Sequence, residues 1–292
     1  MRGSFLKYIQ FEKRYSRHTI SSYENDLNQF ESFLHEFYQE KPATATHSMV
    51  RHWVVNLVED NISPRSVNRK IASLRSFYKF LLKRELIDKD PTTKIQALKT
   101  SKALPQFVNE EDITRLLDQC KFDDDFEGNR DRLVIELLYG TGIRLAELIA
   151  LKTKDIDQQA RTIKVLGKRN KERVIPFSKP LNQVIESYKN QKNNLGAVNE
   201  DDYLIVTQSG EQAYPMLIYR TVKKYLNIFT TIEKRSPHVL RHTFATHLLN
   251  KGAELNAVKD LLGHASLAAT QVYTHNSLEK LKSVFDQAHP KA

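Results

Sequence analysis

The chain has 292 residues, enough for two domains with a sizeable buried core and too few for many. Lysine and arginine outnumber aspartate and glutamate by 45 to 35, a net charge of +10, which suits a polyanionic partner or simply a basic solvated surface. The single cysteine, Cys120, excludes an internal disulfide and fits a reducing cytoplasm; the absence of a bilayer-length apolar run or a signal-peptide core argues against membrane and secreted classes.

The first part of the chain has helical periodicity. Ser16 to Phe37 carries Ile20, Tyr23, Leu27, Phe30 and Leu34 on one stripe, and a second helix is expected over Ser48 to Leu57. A third begins at Ser63 with Pro64 in its first position, and Val67, Ile71, Leu74, Tyr78 and Leu81 form its apolar stripe. Arg65 and Arg69 stand opposite that stripe, with Arg75 and Lys79 on its flank, and on the residues alone they are a solvated charged face. Met-Arg-Gly-Ser at the start carries no signal. Asp88 to Pro105 has Asp-Pro, Leu-Pro and several lysines without periodicity, as a linker would.

Beyond Gln106 the pattern is mixed. Asn109 with Asp112 starts a helix, and Cys120 falls after its apolar positions as a buried helix-end residue rather than a nucleophile. Asn129 to Tyr139 predicts an amphipathic helix, which Thr141-Gly142 breaks just before Arg144. Arg161 to Leu166 and Glu172 to Phe177 alternate and are rich in β-branched residues, so they predict a hairpin with a basic turn. Tyr203 to Thr207 predicts a further strand, and the remainder is helical. The fold class is mainly α with a small antiparallel sheet (α+β).

The last quarter is the most informative. Ser236 as N-cap and Pro237 as first residue open a helix that puts His238 and Arg241 one turn apart on one face, near a terminus that favours anions. Gly263 closes the next helix in the left-handed position and is followed at once by His264. Ser266 caps a short helix carrying Thr270 and Tyr273. His238 and His242 are also one turn apart, but no glutamate completes a zinc-protease pattern, so no metal is expected.

The ordered set His238, Arg241, Leu-Gly-His264 and Tyr273 nine residues later resembles the catalytic segment of the tyrosine recombinases, most closely the bacterial Xer-type. Gly-Thr-Gly-Ile-Arg-Leu-Ala-Glu-Leu supplies Arg144 with Glu147, and Gly-Lys-Arg-Asn-Lys-Glu-Arg supplies Lys168; Leu-Arg-His-Thr-Phe-Ala-Thr-His-Leu-Leu is similar too, as is the ending Phe-Asp-Gln-Ala-His-Pro-Lys-Ala. Two departures are visible. Ile-Arg-Leu-Ala-Glu stands where Leu-Arg-Val-Ser-Glu is usual, and Arg169 follows Lys168 where a glycine often does.

The resemblance implies a SAM-like helical core-binding domain over 1–87, a linker over 88–105 and a catalytic domain over 106–292, together forming a C-shaped DNA clamp. It implies Tyr273 as nucleophile giving a 3′-phosphotyrosine, Arg144 and Arg241 on the phosphoryl oxygens, His238 as proton acceptor, His264 as a further donor and Glu147 as an orienting partner. Lys168 is the implied leaving-group acid, with Lys171 its rival. Arg65, Arg69, Arg75 and Lys79 become DNA contacts. The implied activity is cofactor-free, metal- and ATP-independent exchange of double-stranded DNA at a partly palindromic site, through a Holliday junction within a cytoplasmic tetramer. Its implied role is chromosome-dimer resolution at a terminus (dif-like) site during cell division, with a second Xer-type recombinase and a DNA translocase as activator. A final helix capped by Ser277, with Leu278, Leu281, Val284 and Phe285 on one side, would link subunits. A short-type integrase of a mobile element is the alternative, ahead of a type IB topoisomerase or a non-catalytic DNA-binding protein.

Overall fold

The computed structural model describes residues 1–100, 106–167, 172–195 and 202–263. The chain divides into two compact units, Met1–Ala103 and Leu104–Ala292. Each has its own apolar core. Among the described residues no helix is long and apolar enough to cross a membrane.

The first unit is helical: α1 (Arg2–Lys7), α2 (Arg17–Tyr38), α3 (His47–Glu59) and α4 (Pro64–Lys83). The starts of the last three follow from side-chain caps. Ser16, Thr46 and Ser63 each accept a hydrogen bond from the backbone N–H three residues on, occupying a donor that the helix itself leaves unpaired. α1 has no such signal. So short a helix is marginal alone, and it forms because Phe5 is buried, 5.3 Å from the Phe77 ring and 5.5 Å from Phe80, with Ile9 buried in the turn that follows it.

Between α2 and α4 lies a buried ionic network that the sequence reading misses. Asp26 is 1% exposed and accepts from Lys70 Nζ at 3.2 Å and Ser73 Oγ at 2.8 Å, and it pairs with Arg69. The start of the stretch expected as a linker is folded onto α4. Ile95 is buried, and Asn68 exchanges two hydrogen bonds with the Leu98 backbone, at 2.8 and 2.9 Å. A polar side chain inside the helix therefore sets the path of an aperiodic segment.

The second unit is built around α6 (Phe126–Thr141), with α5 (Glu110–Gln119) and α7 (Leu145–Ala150) on either side in sequence. A hairpin of β2 (Thr162–Leu166) and β3 (Glu172–Pro176) follows, joined at its edge by the two-residue β1 (Ile156–Asp157). The hairpin is antiparallel, with Ile163 opposite Ile175 and Leu166 opposite Glu172. α8 (Lys179–Asn194), α9 (Pro215–Phe229), α10 (Pro237–Asn250) and α11 (Leu255–Leu262) complete the described part.

Two expectations need correction. α6 is not amphipathic: every residue from Leu133 to Thr141 is buried, because α8, α9 and α10 all pack on it. Its polar Arg130, Asp131 and Glu136 satisfy one another or their neighbours, with Arg130 on Glu127 and Asp131 and Arg132 on Glu136. Tyr203 to Thr207 is not a strand of the sheet. Leu204, Ile205 and Val206 are buried, but their backbone makes only isolated bridges, Lys152 with Tyr203 and Val206 with Gln212. The apolar run reflects burial rather than pairing.

Asp26→Ala should leave Lys70 buried without its carboxylate. A loss on the order of 3–5 kcal/mol is expected from breaking such a pair, measured by urea unfolding of the full chain followed through Trp53, the single tryptophan, which lies in the same core. A shift under about 1 kcal/mol, the range of exposed pairs, would show that water reaches Lys70.

Candidate active site

The site begins where α6 stops. Gly142 adopts φ +59°, and a Cβ there would sit 2.5 Å from the Phe244 ring, so both backbone conformation and space require glycine. That turn delivers Arg144 to the position before α7. Glu147, in the first turn of α7, accepts from the Arg144 backbone N–H at 2.8 Å and from Arg144 Nη1 at 2.7 Å.

β3 contributes a residue that sequence reasoning missed. Arg173 is 4% exposed and grips both oxygens of Glu147, through Nη1 and Nη2, each at 2.8 Å. The signal was available: Arg173 alternates with Val174 and shares the inward face with Ile175. An arginine on the buried face of a strand must find a carboxylate or a set of carbonyls.

α10 contributes Arg241, buried one turn beyond the exposed His238. Arg241 donates through Nη1 to the Gly142 carbonyl and through Nη2 to the Leu262 carbonyl, the latter at 2.6 Å. The three arginines converge on the end of α11. Leu261 O accepts from Arg173 Nε at 2.9 Å, Leu262 O from Arg241, and Gly263 O from Arg144 Nη2 at 2.8 Å. The last carbonyls of a helix have no partner within it and carry its negative pole, which is where guanidinium donors are most favoured. Gly263 holds the expected left-handed conformation at φ +61°, and a Cβ there would press on Arg173 at 3.1 Å.

Charge follows geometry. Burial opposes ionisation of Glu147, but the hydrogen bonds from Arg173 and Arg144 outweigh it and hold the carboxyl at about 2. Arg241 is lowered to about 10, by burial first and then by the positive charges of Arg144 and Arg173. In this network Arg173 and Arg144 share the Glu147 carboxylate, and Arg241 feels its charge at longer range.

His247, also within the motif words, belongs to the core. Its Nε2 donates to the Val108 carbonyl at 2.9 Å and its Nδ1 faces the Tyr139 hydroxyl at 3.1 Å, so burial keeps it neutral and lowers its pKa. Cys120 is half-buried with its thiol pushed up by burial, unlike an activated nucleophile. Among the described residues no group of three or more histidine, cysteine, aspartate or glutamate side chains is placed to hold a metal. Lys168, its rival Lys171, His264, Tyr273 and the final helix from Ser277 lie outside the described residues.

In the first unit Arg65 and Lys79 are exposed. Arg69 is paired with Asp26 and also donates to Ser22, and Arg75 donates to the Ile95 carbonyl. Two of the four residues expected to face DNA thus have partners within the protein.

Residues 106–280 match the phage integrase family and residues 3–85 match the N-terminal SAM-like domain of phage integrases. The chain belongs to the phage integrase family of tyrosine recombinases. The recombinase is 36% identical to tyrosine recombinase XerC of Chlorobaculum tepidum, aligned over 99% of this chain and 94% of that protein. It is 39% identical to XerC of Staphylococcus epidermidis over 99% of this chain and 97% of that one. The fold matches the XerH site-specific recombinase solved with a palindromic difH substrate, at a TM-score of 0.73 and 22% identity over 97% of this chain and 83% of that one. The chain is therefore a tyrosine site-specific recombinase, an enzyme of the Xer kind.

The Glu147 carboxyl sits far below its ordinary value of 4.5, so the folded state takes up its proton later than the unfolded state does. Its contribution is complete above about 4.5 and is lost as pH falls towards about 2. Urea unfolding across that interval should show a steeper acid loss for the wild type than for Glu147→Gln. Parallel curves would mean that the carboxylate is not held by the arginines in solution.

Proposed function

We propose that this recombinase cuts and rejoins duplex DNA at a short, partly palindromic terminus site, resolving chromosome dimers during cell division in the cytoplasm. The observation that carries the reading is the convergence of Arg144 and Arg241 on adjacent carbonyls at the end of α11, immediately before His264. Planar, permanently charged guanidiniums held in place by backbone suit the two non-bridging oxygens of a phosphodiester. Full-length similarity to XerC proteins supports the chromosomal role over that of a mobile-element integrase.

In this mechanism the Tyr273 hydroxyl attacks phosphorus in line, and His238 takes its proton. The bond from phosphorus to the 5′-oxygen breaks as Lys168 supplies a proton, leaving a 3′-phosphotyrosine and a free 5′-hydroxyl. The covalent link keeps the energy of the broken bond, so a different 5′-hydroxyl can reverse the step without ATP. Arg144, Arg241 and His264 stabilise the charge on the pentacoordinate phosphorus, a role that metal ions fill in other phosphoryl-transfer enzymes. Two such exchanges, one on each strand pair, pass through a Holliday junction within a tetramer on two duplexes. The remaining elements of the reading are a second Xer-type recombinase in the tetramer, a DNA translocase as activator, a clamp of core-binding and catalytic domains, and DNA contacts from Arg65 and Lys79.

The test is incubation with duplexes tiled across the terminus region of the host chromosome, each carrying a nick that traps the covalent intermediate. The wild type should form an SDS-resistant adduct on a narrow set of duplexes, and Tyr273→Phe should bind those duplexes yet form none. An adduct from the phenylalanine variant would move the nucleophile elsewhere. Adduct formation should also persist in excess EDTA; its loss, with recovery on adding magnesium, would overturn the metal-free mechanism.

A further inference from the structure

Resting on the recombinase reading, we infer that Arg173 is a positioning residue for strand cleavage, which neutralises Glu147 and holds the end of α11 so that Arg144 stays available to the phosphate. Three observations carry this. Arg173 makes a two-point grip on Glu147 at 2.8 Å on each oxygen, while Arg144 reaches the same carboxylate through Nη1 at 2.7 Å. The two arginines therefore compete for one negative charge. The described groups facing that carboxylate are Arg144 from its own helix, Arg173 from β3 and, at longer range, Arg241 from α10.

Without Arg173, Glu147 would have Arg144 as its one close guanidinium among the described residues and would draw it into a closed ion pair. The pair would carry no net charge, and Arg144 would be turned from the oxygens of a diester. With Arg173 in place, the Glu147–Arg173 pair is neutral by itself and Arg144 keeps its charge. The third observation is the contact of Arg173 Nε with the Leu261 carbonyl at 2.9 Å. One side chain thereby links β3, the strand that follows the Lys168 segment, to α7 and to the helix end from which His264 departs. Geometry at a phosphoryl-transfer site is demanding, and a misplacement near 1 Å costs on the order of 100-fold in rate.

The experiment measures the rate of adduct formation at saturating protein, and separately DNA affinity, on the nicked duplex that the wild type cleaves. It compares the wild type with Arg173→Met, Arg173→Lys and the double variant Arg173→Met with Glu147→Gln. Arg173→Met should slow adduct formation on the order of 100-fold with a much smaller change in affinity. The double variant should recover about tenfold of that loss, because a glutamine has no charge with which to sequester Arg144. Lysine keeps the charge but offers a single point instead of a fork, so Arg173→Lys should remain about tenfold slow.

A merely structural role predicts that the double variant is no better than Arg173→Met, and that result would overturn the inference. Should Arg173→Met fail to fold, judged by circular dichroism, Arg173→Lys carries the test, and a wild-type rate from it overturns the inference. If the wild type forms adducts and Arg173→Met matches it, the inference alone fails. If the wild type forms none on any duplex, the recombinase reading fails and takes the inference with it.

Discussion

Three successive carbonyls at the C-terminal end of α11, those of Leu261, Leu262 and Gly263, are held by arginines from β3, α10 and the start of α7. Much of the candidate site depends on this junction. A helix end presents unpaired acceptors in a fixed geometry, and a guanidinium is the one side chain with enough rigid donors to bridge such an acceptor and something else. Each arginine does bridge. Arg173 and Arg144 tie the helix end to Glu147, and Arg241 ties it to Gly142. The two glycines at this junction are set by the same geometry, since a side chain at Gly142 would strike Phe244 and one at Gly263 would strike Arg173.

Gathering three positive groups has an electrostatic cost. It shows in the lowered pKa of Arg241, where burial and the two neighbouring guanidiniums act in the same direction. Glu147 offsets part of that cost and is ionised far into acid because of it. The remaining positive charge is held away from bulk water by buried or half-buried side chains, where a charge acts more strongly than on the surface. On the proposed mechanism, that charge would meet a pentacoordinate phosphorus, whose oxygens carry more charge than those of the ground-state diester.

The first unit uses the same chemistry for a different end. Asp26 gathers Arg69, Lys70 and Ser73 between two helices, and Arg75 caps the carbonyl of Ile95. Basic residues that form one charged face of α4 on a helical wheel are thus of two kinds. Some are fastened to the protein, which stiffens α4 and the segment after it, while Arg65 and Lys79 extend from it. A helix anchored by some of its own basic residues presents the others from a defined position.

The helix starts at Ser16, Ser63 and Asn109, the start at Pro237, the hairpin and the left-handed Gly263 were legible in the sequence because capping, proline's fixed φ, alternation and glycine conformation are local properties. The turn at Gly142 was legible for the same reason. α1 was not, since Phe5 forms a helix only against a core that the first residues cannot announce. The buried nature of α6 was not, because polar Arg130, Asp131 and Glu136 mimic a solvent face until their partners are known. Arg173 stood in plain sight on the inward side of a strand, but its partner lies 26 residues away in the chain. By itself the sequence determined the family, the order of the candidate site residues and the local geometry that presents several of them. Only the tertiary structure decided which arginines share Glu147 and which carbonyls they hold, because a buried charge is defined by groups that meet through space and not along the chain.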